Sequence, residues 1–171
     1  TVVRVTGSGA QGSGVLKDGQ GLVVTSQSVV VDDPTVMVEL ADGTRRMGIV
    51  LGVDKVGELA LVSISGQGYP SLLLGDSRSL AVGDDVMTLG FPLQGSVTES
   101  VGRIEEPALQ LFTLGPAGQV RYIATDMDVI PGGTGGPLVD REGRLVGIAL
   151  AGLVATSVER LVEVLPSLKR G

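Results

Sequence analysis

Short apolar runs, most of them alternating with polar residues, fill the chain, and glycine-containing turns separate them. Residues 1–5 (TVVRV) lead into 12–25 (GSGVLKDGQGLVVT), two runs joined by Lys17-Asp18-Gly19-Gln20. An Asp-Gly pair between apolar runs is a strong hairpin signal. In 35–53 Val36, Val38 and Leu40 alternate before a turn at Asp42-Gly43, and 58–64 (ELALVSI) alternates in the same way. Further strand runs occupy 84–92, 96–106, 119–126 and 136–150, the last turning at Arg141-Glu142-Gly143. Only the C-terminus carries a helical period. There Ser157 stands as N-cap and Glu159 lies in the first turn, while Val158, Leu161, Val162 and Leu165 form an apolar stripe. Pro166 is expected to kink or end the regular stretch near Leu165, leaving at most one weak extra turn. A series of short strands closed by one helix predicts an all-β protein, a barrel or a sandwich. The polar stretch 75–83 reads as the joint between its halves.

Composition narrows the chemistry more than the fold. Apolar residues make up 43 % of the 171, yet aromatics only 2 %, so aliphatic and β-branched side chains must fill the interior. Twenty-seven glycines without a repeating period suit many tight turns. The net charge of −6, with no basic cluster, argues against nucleic acid, whose phosphates require grouped Lys and Arg. Cysteine is absent, which removes disulfides, thiolate nucleophiles and zinc–thiolate sites. Histidine is absent as well, so the usual neutral-pH base and the commonest transition-metal ligand are both missing. The longest apolar run, 145–155, is broken by Gly147 and Gly152 and falls well short of the roughly 20 residues of a membrane helix. No membrane span is expected, and no cofactor or metal motif occurs. A first residue of Thr1 rather than Met suggests a piece of a longer chain.

Taken in order, these segments resemble the trypsin-like (chymotrypsin-fold) serine proteases, and the HtrA/Deg-type protease domain in particular. GSGVLKDGQGLVVTSQSVV (12–30) is similar to the family's opening hairpin and the segment bearing its catalytic His. DKVGELALVSI (54–64) resembles the segment with the catalytic Asp, and VGDDVMTLGFP (82–92) the start of the second barrel. TDMDVIPGGTGGPLVDREGRLVGIAL (125–150) resembles the nucleophile loop and the hairpin after it, and 155–168 the closing helix. The resemblance implies two packed six-stranded antiparallel β-barrels, about 1–76 and about 82–156, with a helix at about 157–169 over the second. It also implies an extracytoplasmic location (periplasmic, secreted or membrane-anchored) and a cleft between the barrels.

The residues at the catalytic positions depart from the family. Ser28 stands where the family has His, Glu58 where it has Asp, and Thr134 where it has Ser. The resemblance gives the loop Gly132, Gly133 and Thr134 the place of the oxyanion hole, with the N–H groups of Gly132 and Thr134 as its donors. A hydroxyl nucleophile needs a base to take its proton. The Ser28 hydroxyl is too weakly basic, and Glu58 occupies a place that would orient a His. Lys17, Lys55 and Lys169 lie on a turn, a polar stretch and the C-terminal end, where no burial lowers an amine's pKa. The pairs Asp32-Asp33, Asp84-Asp85 and Asp126/Asp128 lack calcium-loop spacing and read as turn and strand-end carboxylates. GSGAQGSG (7–14) lacks the lysine and helix of a phosphate loop and reads as a flexible strand lead-in. The expected function is a catalytically inactive HtrA-like homologue that binds peptides or proteins, or serves as a scaffold, within a larger protein. The alternatives are a divergent serine-type endopeptidase using Thr134 and association of copies through a barrel face.

Overall fold

A computed structural model describes residues 1–110, 120–128, 130–151 and 154–170. Gln119, Val129, Gly152, Leu153 and Gly171, each part of a segment discussed above, lie outside the described residues. The first barrel consists of β1 (Val2–Thr6), β2 (Gln11–Leu16), β3 (Leu22–Ser26), β4 (Thr35–Glu39), β5 (Arg45–Asp54) and β6 (Leu59–Ile64). Its strands close in the order β1-β2-β3-β6-β5-β4, every neighbouring pair antiparallel. The second holds β7 (Asp85–Gly90), β8 (Thr98–Gln110), β9 (Arg121–Thr125), β10 (Pro137–Val139), β11 (Leu145–Ala149) and β12 (Val154–Ser157). It closes as β10-β11-β12-β9-β8-β7. The expected pair of six-stranded barrels is therefore the observed architecture.

Local chemistry explains the hairpins. The Asp18 carboxylate accepts from the N–H groups of Gln20 (2.9 Å) and Leu22 (3.2 Å), fixing the β2–β3 turn. Asp42 accepts from Thr44 N–H at 2.8 Å beside Gly43 at φ +85, and Asp140 accepts from Glu142 and Arg144 beside Gly143 at φ +75. Positive φ is the conformation for which glycine is suited. Strand β8 runs past the expected end at 106 and carries Pro107, where two register shifts interrupt the ladder. A bulge is where a strand tolerates the missing proline N–H.

Aliphatic side chains fill both barrels, as the shortage of aromatics requires. Val3, Val5, Leu16, Val23, Val36, Val38 and Val62 pack in the first, and Val86, Ile104, Ile123, Leu138 and Val146 in the second. A third cluster joins the barrels: Val15, Val24, Leu59 and Leu61 meet Leu145 and Ile148 and the buried side of α2 (Val158–Leu168). Full burial of one such side chain stabilises by about 1.5–3 kcal/mol. Arg4 bridges the barrels on the other side, donating to Glu39 (3.1 Å) and to Gly95 O (2.6 Å), with its guanidinium 4.9 Å from the Phe91 ring centre.

Helix α2 differs from expectation in three ways. It packs on β5 and β6 of the first barrel as well as on β11 and β12, so it straddles the two. It runs through Pro166 to Leu168, the one extra turn the sequence left room for, and that leucine is 7 % exposed within the joining cluster. Pro166 lies in the last turn, which closes with Lys169 N–H donating to Leu165 O at 3.1 Å. The buried stripe is Val158, Leu161, Val164 and Leu168, while Val162 is 51 % exposed. Ser157 occupies the N-cap position, but its hydroxyl caps no N–H and is buried with no partner among the described residues. Glu159 binds the backbone N–H and the hydroxyl of Ser77 instead, tying α2 to the linker between the barrels. A one-turn helix, α1 (Gln27–Val30), follows β3 and is absent from the periodicity because four residues carry none. No described helix is long and apolar enough to cross a membrane.

Candidate functional site

The glycine loop 130–136 sits against the first barrel through its backbone. Ser13 N–H donates to Thr134 O at 2.8 Å, and the Ser13 hydroxyl donates to Gly132 O at 2.8 Å. Two positions in this contact admit no side chain. A Cβ on Gly12 would lie 2.6 Å from Thr134 O. Gly135, at φ +92, lies so close to Ser13 O, Thr25 Oγ1 and Ser26 N that any Cβ would collide with them. Within the loop Gly133 N–H donates to Ile130 O (2.7 Å), Gly136 N–H to Gly133 O (3.0 Å) and Gly135 N–H to Ala149 O (2.7 Å). The N–H groups of Gly132 and Thr134 meet no acceptor among the described residues. Beside Thr134 a cavity of about 40 Å³ opens, lined by Thr88, Asp128, Ile130, Leu138, Leu150 and Val154. One water-sized sphere fills about 10–15 Å³, so a small aliphatic group fits.

Ser28 lies exposed on α1, directly after β3. The Ser26 hydroxyl caps that turn, accepting from Ser28 N–H at 3.3 Å, and pairs with the Ser28 hydroxyl at 2.9 Å. Glu58 is exposed in the turn directly before β6, in the left-handed conformation at φ +58, and its carbonyl accepts from Gln27 N–H at 2.9 Å. The backbone therefore brings the Glu58 segment to α1 and α1 to the loop's neighbourhood: Val29, beside Ser28, packs on Gly12 under Thr134 O. The loop 54–57 before Glu58 is tied down from the far barrel and from α2. Arg160 holds Asp54 through two bonds of 2.7 and 2.9 Å, Tyr122 donates to Val56 O (2.9 Å), and Thr156 donates to Gly57 O (2.6 Å).

Electrostatics follow these contacts. Burial pulls the Asp54 carboxyl upward, but Arg160 and the N–H groups of Gly57 and Val56 outweigh it and hold the group below the ordinary Asp value. Burial raises the Tyr122 phenol, and the nearby Glu58 and Asp54 charges add to the rise. Lys55 and Lys169 are exposed and Lys17 half-buried. Asp33 accepts from Ser8, Asp84 from Ala81 N–H and Asp126 from Arg103 N–H, so these carboxylates serve turns and strand ends as expected. Among the described residues no cluster of three or more acidic ligands could hold a metal ion.

The sequence did not single out Ser13. It lies in β2, within the run read as strand from residue 12, where Gly12-Ser13-Gly14 lets the loop approach the strand. The signal was present as two glycines flanking a small hydroxyl on an otherwise apolar strand.

Two closed six-stranded barrels with a glycine loop wedged between them define a trypsin-like fold. The family model for the trypsin-like peptidase domain matches residues 12–148, and the chain belongs to that family. It is 38 % identical over 144 residues to a putative serine protease, HhoA, of Synechocystis, covering 82 % of this chain and 36 % of that protein. It is 34 % identical over 139 residues to a probable periplasmic serine endoprotease, DegP-like, of Pseudomonas putida, covering 80 % and 28 %. It is 34 % identical over 142 residues to the mitochondrial serine protease HTRA2 of Drosophila pseudoobscura pseudoobscura, covering 81 % and 33 %. The chain thus spans about a third of the length of the relatives it matches.

Proposed function

We propose that this domain is a catalytically silent member of the family that holds peptide or protein segments within a longer protein, rather than cutting them. One observation carries the reading: the chain holds no histidine, and the family resemblance gives Ser28, Glu58 and Thr134 the three catalytic positions. Triad members act as a unit, so loss of the base alone removes several orders of magnitude in rate. The Ser28 hydroxyl, paired with Ser26, offers no group to deprotonate Thr134.

Binding does not need that base. The loop 132–134 supplies backbone donors, and the cavity beside Thr134 accepts a small apolar side chain. The Pseudomonas putida relative, a probable periplasmic serine endoprotease, supports an extracytoplasmic setting for this chain as well.

The test pairs two measurements. Casein cleavage and fluorophosphonate labelling are expected to be absent in the wild type and in Thr134→Ala alike, and stoichiometric binding to members of a peptide library is expected in both. Labelling that disappears in Thr134→Ala overturns the reading in favour of a Thr134 hydrolase. Failure to bind any member of the library overturns the groove.

A further inference from the structure

We propose that Met37 and Met47, on the outer face of the first barrel, form a two-thioether site for a soft monovalent cation, Cu(I) or Ag(I). The site shares no residue with the cavity beside Thr134 and does not depend on the peptide-binding reading.

Strand alternation sets the two side chains on one face. In β4 Met37 stands between Val36 and Val38, which are 4 % and 0 % exposed, so it points outward. The β4–β5 register places Met47 directly opposite Met37, and the β1–β4 register places Thr6 on the other side of it. Residues opposed in this way hold their Cβ atoms about 4.5–5.5 Å apart. Both methionines are open to solvent, Met37 at 41 % and Met47 at 67 %. They line one surface hollow of about 300 Å³ together with Thr6, Ser8, Asp33 and Thr35. A methionine side chain turns about three bonds, so two sulfurs rooted at opposed positions can close on one ion without moving the backbone.

The donors define the ligand. Thioethers select soft ions such as Cu(I), whereas hard cations take carboxylate and carbonyl oxygens. The chain has four methionines and neither cysteine nor histidine, so thioethers are its softest donors. The other two methionines belong to the second barrel, Met87 half-buried in β7 and Met127 only 7 % exposed in its core. Asp33 adds charge to the hollow. Its carboxylate accepts from the Ser8 N–H (2.6 Å) and the Ser8 hydroxyl (2.7 Å), bonds that hold it below the ordinary Asp value and keep it anionic at neutral pH. The carboxylate attracts a cation of any kind, and the two neutral sulfurs supply the preference for a soft one.

The probe is silver nitrate in chloride-free buffer, because Ag(I) keeps its oxidation state in air. Protein labelled with carbon-13 at the methionine ε-methyl groups gives four NMR signals, one for each methionine. The Met37 and Met47 signals are expected to move together and to saturate at one equivalent of Ag(I), while those of Met87 and Met127 stay fixed. Met37→Leu keeps an exposed apolar side chain of similar volume, so the fold is retained. It is expected to weaken Ag(I) binding at Met47 about tenfold or more, since the remaining sulfur has lost its chelating partner. Met47→Leu should act in the same way on Met37. Zinc and calcium nitrates should leave all four signals in place. Unchanged Ag(I) affinity at Met47 in Met37→Leu overturns the shared site, and so does saturation at two equivalents. A response of Met87 equal to that of Met37 and Met47 overturns the selectivity of the pair. No movement of either signal at millimolar Ag(I) overturns the proposal outright, and the peptide-binding reading is untouched by any of these results.

Discussion

Replacing Arg160 with Met tests how far the loop before Glu58 depends on the helix. The Asp54–Arg160 pair is bidentate, and the side chains are only 7 % and 11 % exposed. Removing one partner of a buried pair costs about 3–5 kcal/mol, because a charge is left without compensation. Asp54 retains the N–H groups of Val56 and Gly57, so a loss of about 2–3 kcal/mol is expected. For a chain of this size that is a fall in Tm of about 4–12 °C. A double-mutant cycle with Asp54→Ala isolates the pair, and its coupling energy should be about 1–3 kcal/mol. Acid titration supplies a second readout. The folded Asp54 carboxyl lies below its unfolded value of about 3.9. Its contribution is therefore complete above about pH 4 and is lost as pH falls through the depressed folded value. Denaturant unfolding between pH 6 and pH 2 should show a steep acid loss in the wild type and a shallower one in Arg160→Met. A coupling energy below about 0.5 kcal/mol, with parallel acid profiles, refutes the reasoning.

Val31, a β-branched residue at φ +49, follows α1. Val31→Gly should raise stability by up to about 2 kcal/mol in denaturant melts, since relief of about 1–3 kcal/mol of strain exceeds glycine's added chain entropy of about 0.5–1. Gly135→Ala should lower stability by more than about 2 kcal/mol and abolish peptide binding, because its Cβ would intrude on Ser13 O and Thr25 at φ +92. Anisotropy and thermal melts read both effects. Thr134→Ser alone should remain inert to fluorophosphonate, whereas Ser28→His/Glu58→Asp/Thr134→Ser should label and cleave casein, because the three groups act together.

The strand pattern was legible because each hairpin carries its own local chemistry. Asp18, Asp42 and Asp140 hold their turns through bonds spanning two to four residues, a range in which sequence is informative. Ser28, Glu58 and Thr134 were singled out by motif order alone. Ser13 was not, because its partners Phe91 and Gly132 come from the other barrel and nothing local announces a hydroxyl shared between them. The helix illustrates the same limit. Its period was readable, but Val164 and Leu168 rather than Val162 face inward, because the surfaces of both barrels, brought together by the fold, decide the buried side.

A helix laid across both barrels also sets an order of events during synthesis. All six strands of the first barrel have been made by Ile64, yet Leu59 and Leu61 obtain their covering partners Leu161 and Leu168 about a hundred residues later. Asp54 waits as long for Arg160. Until residues 158–168 leave the ribosome, the nascent first barrel presents a bare aliphatic patch and an unpaired carboxylate. Translation halted near residue 157 would thus release two barrels lacking their shared cover, a ready target for chaperones and proteases.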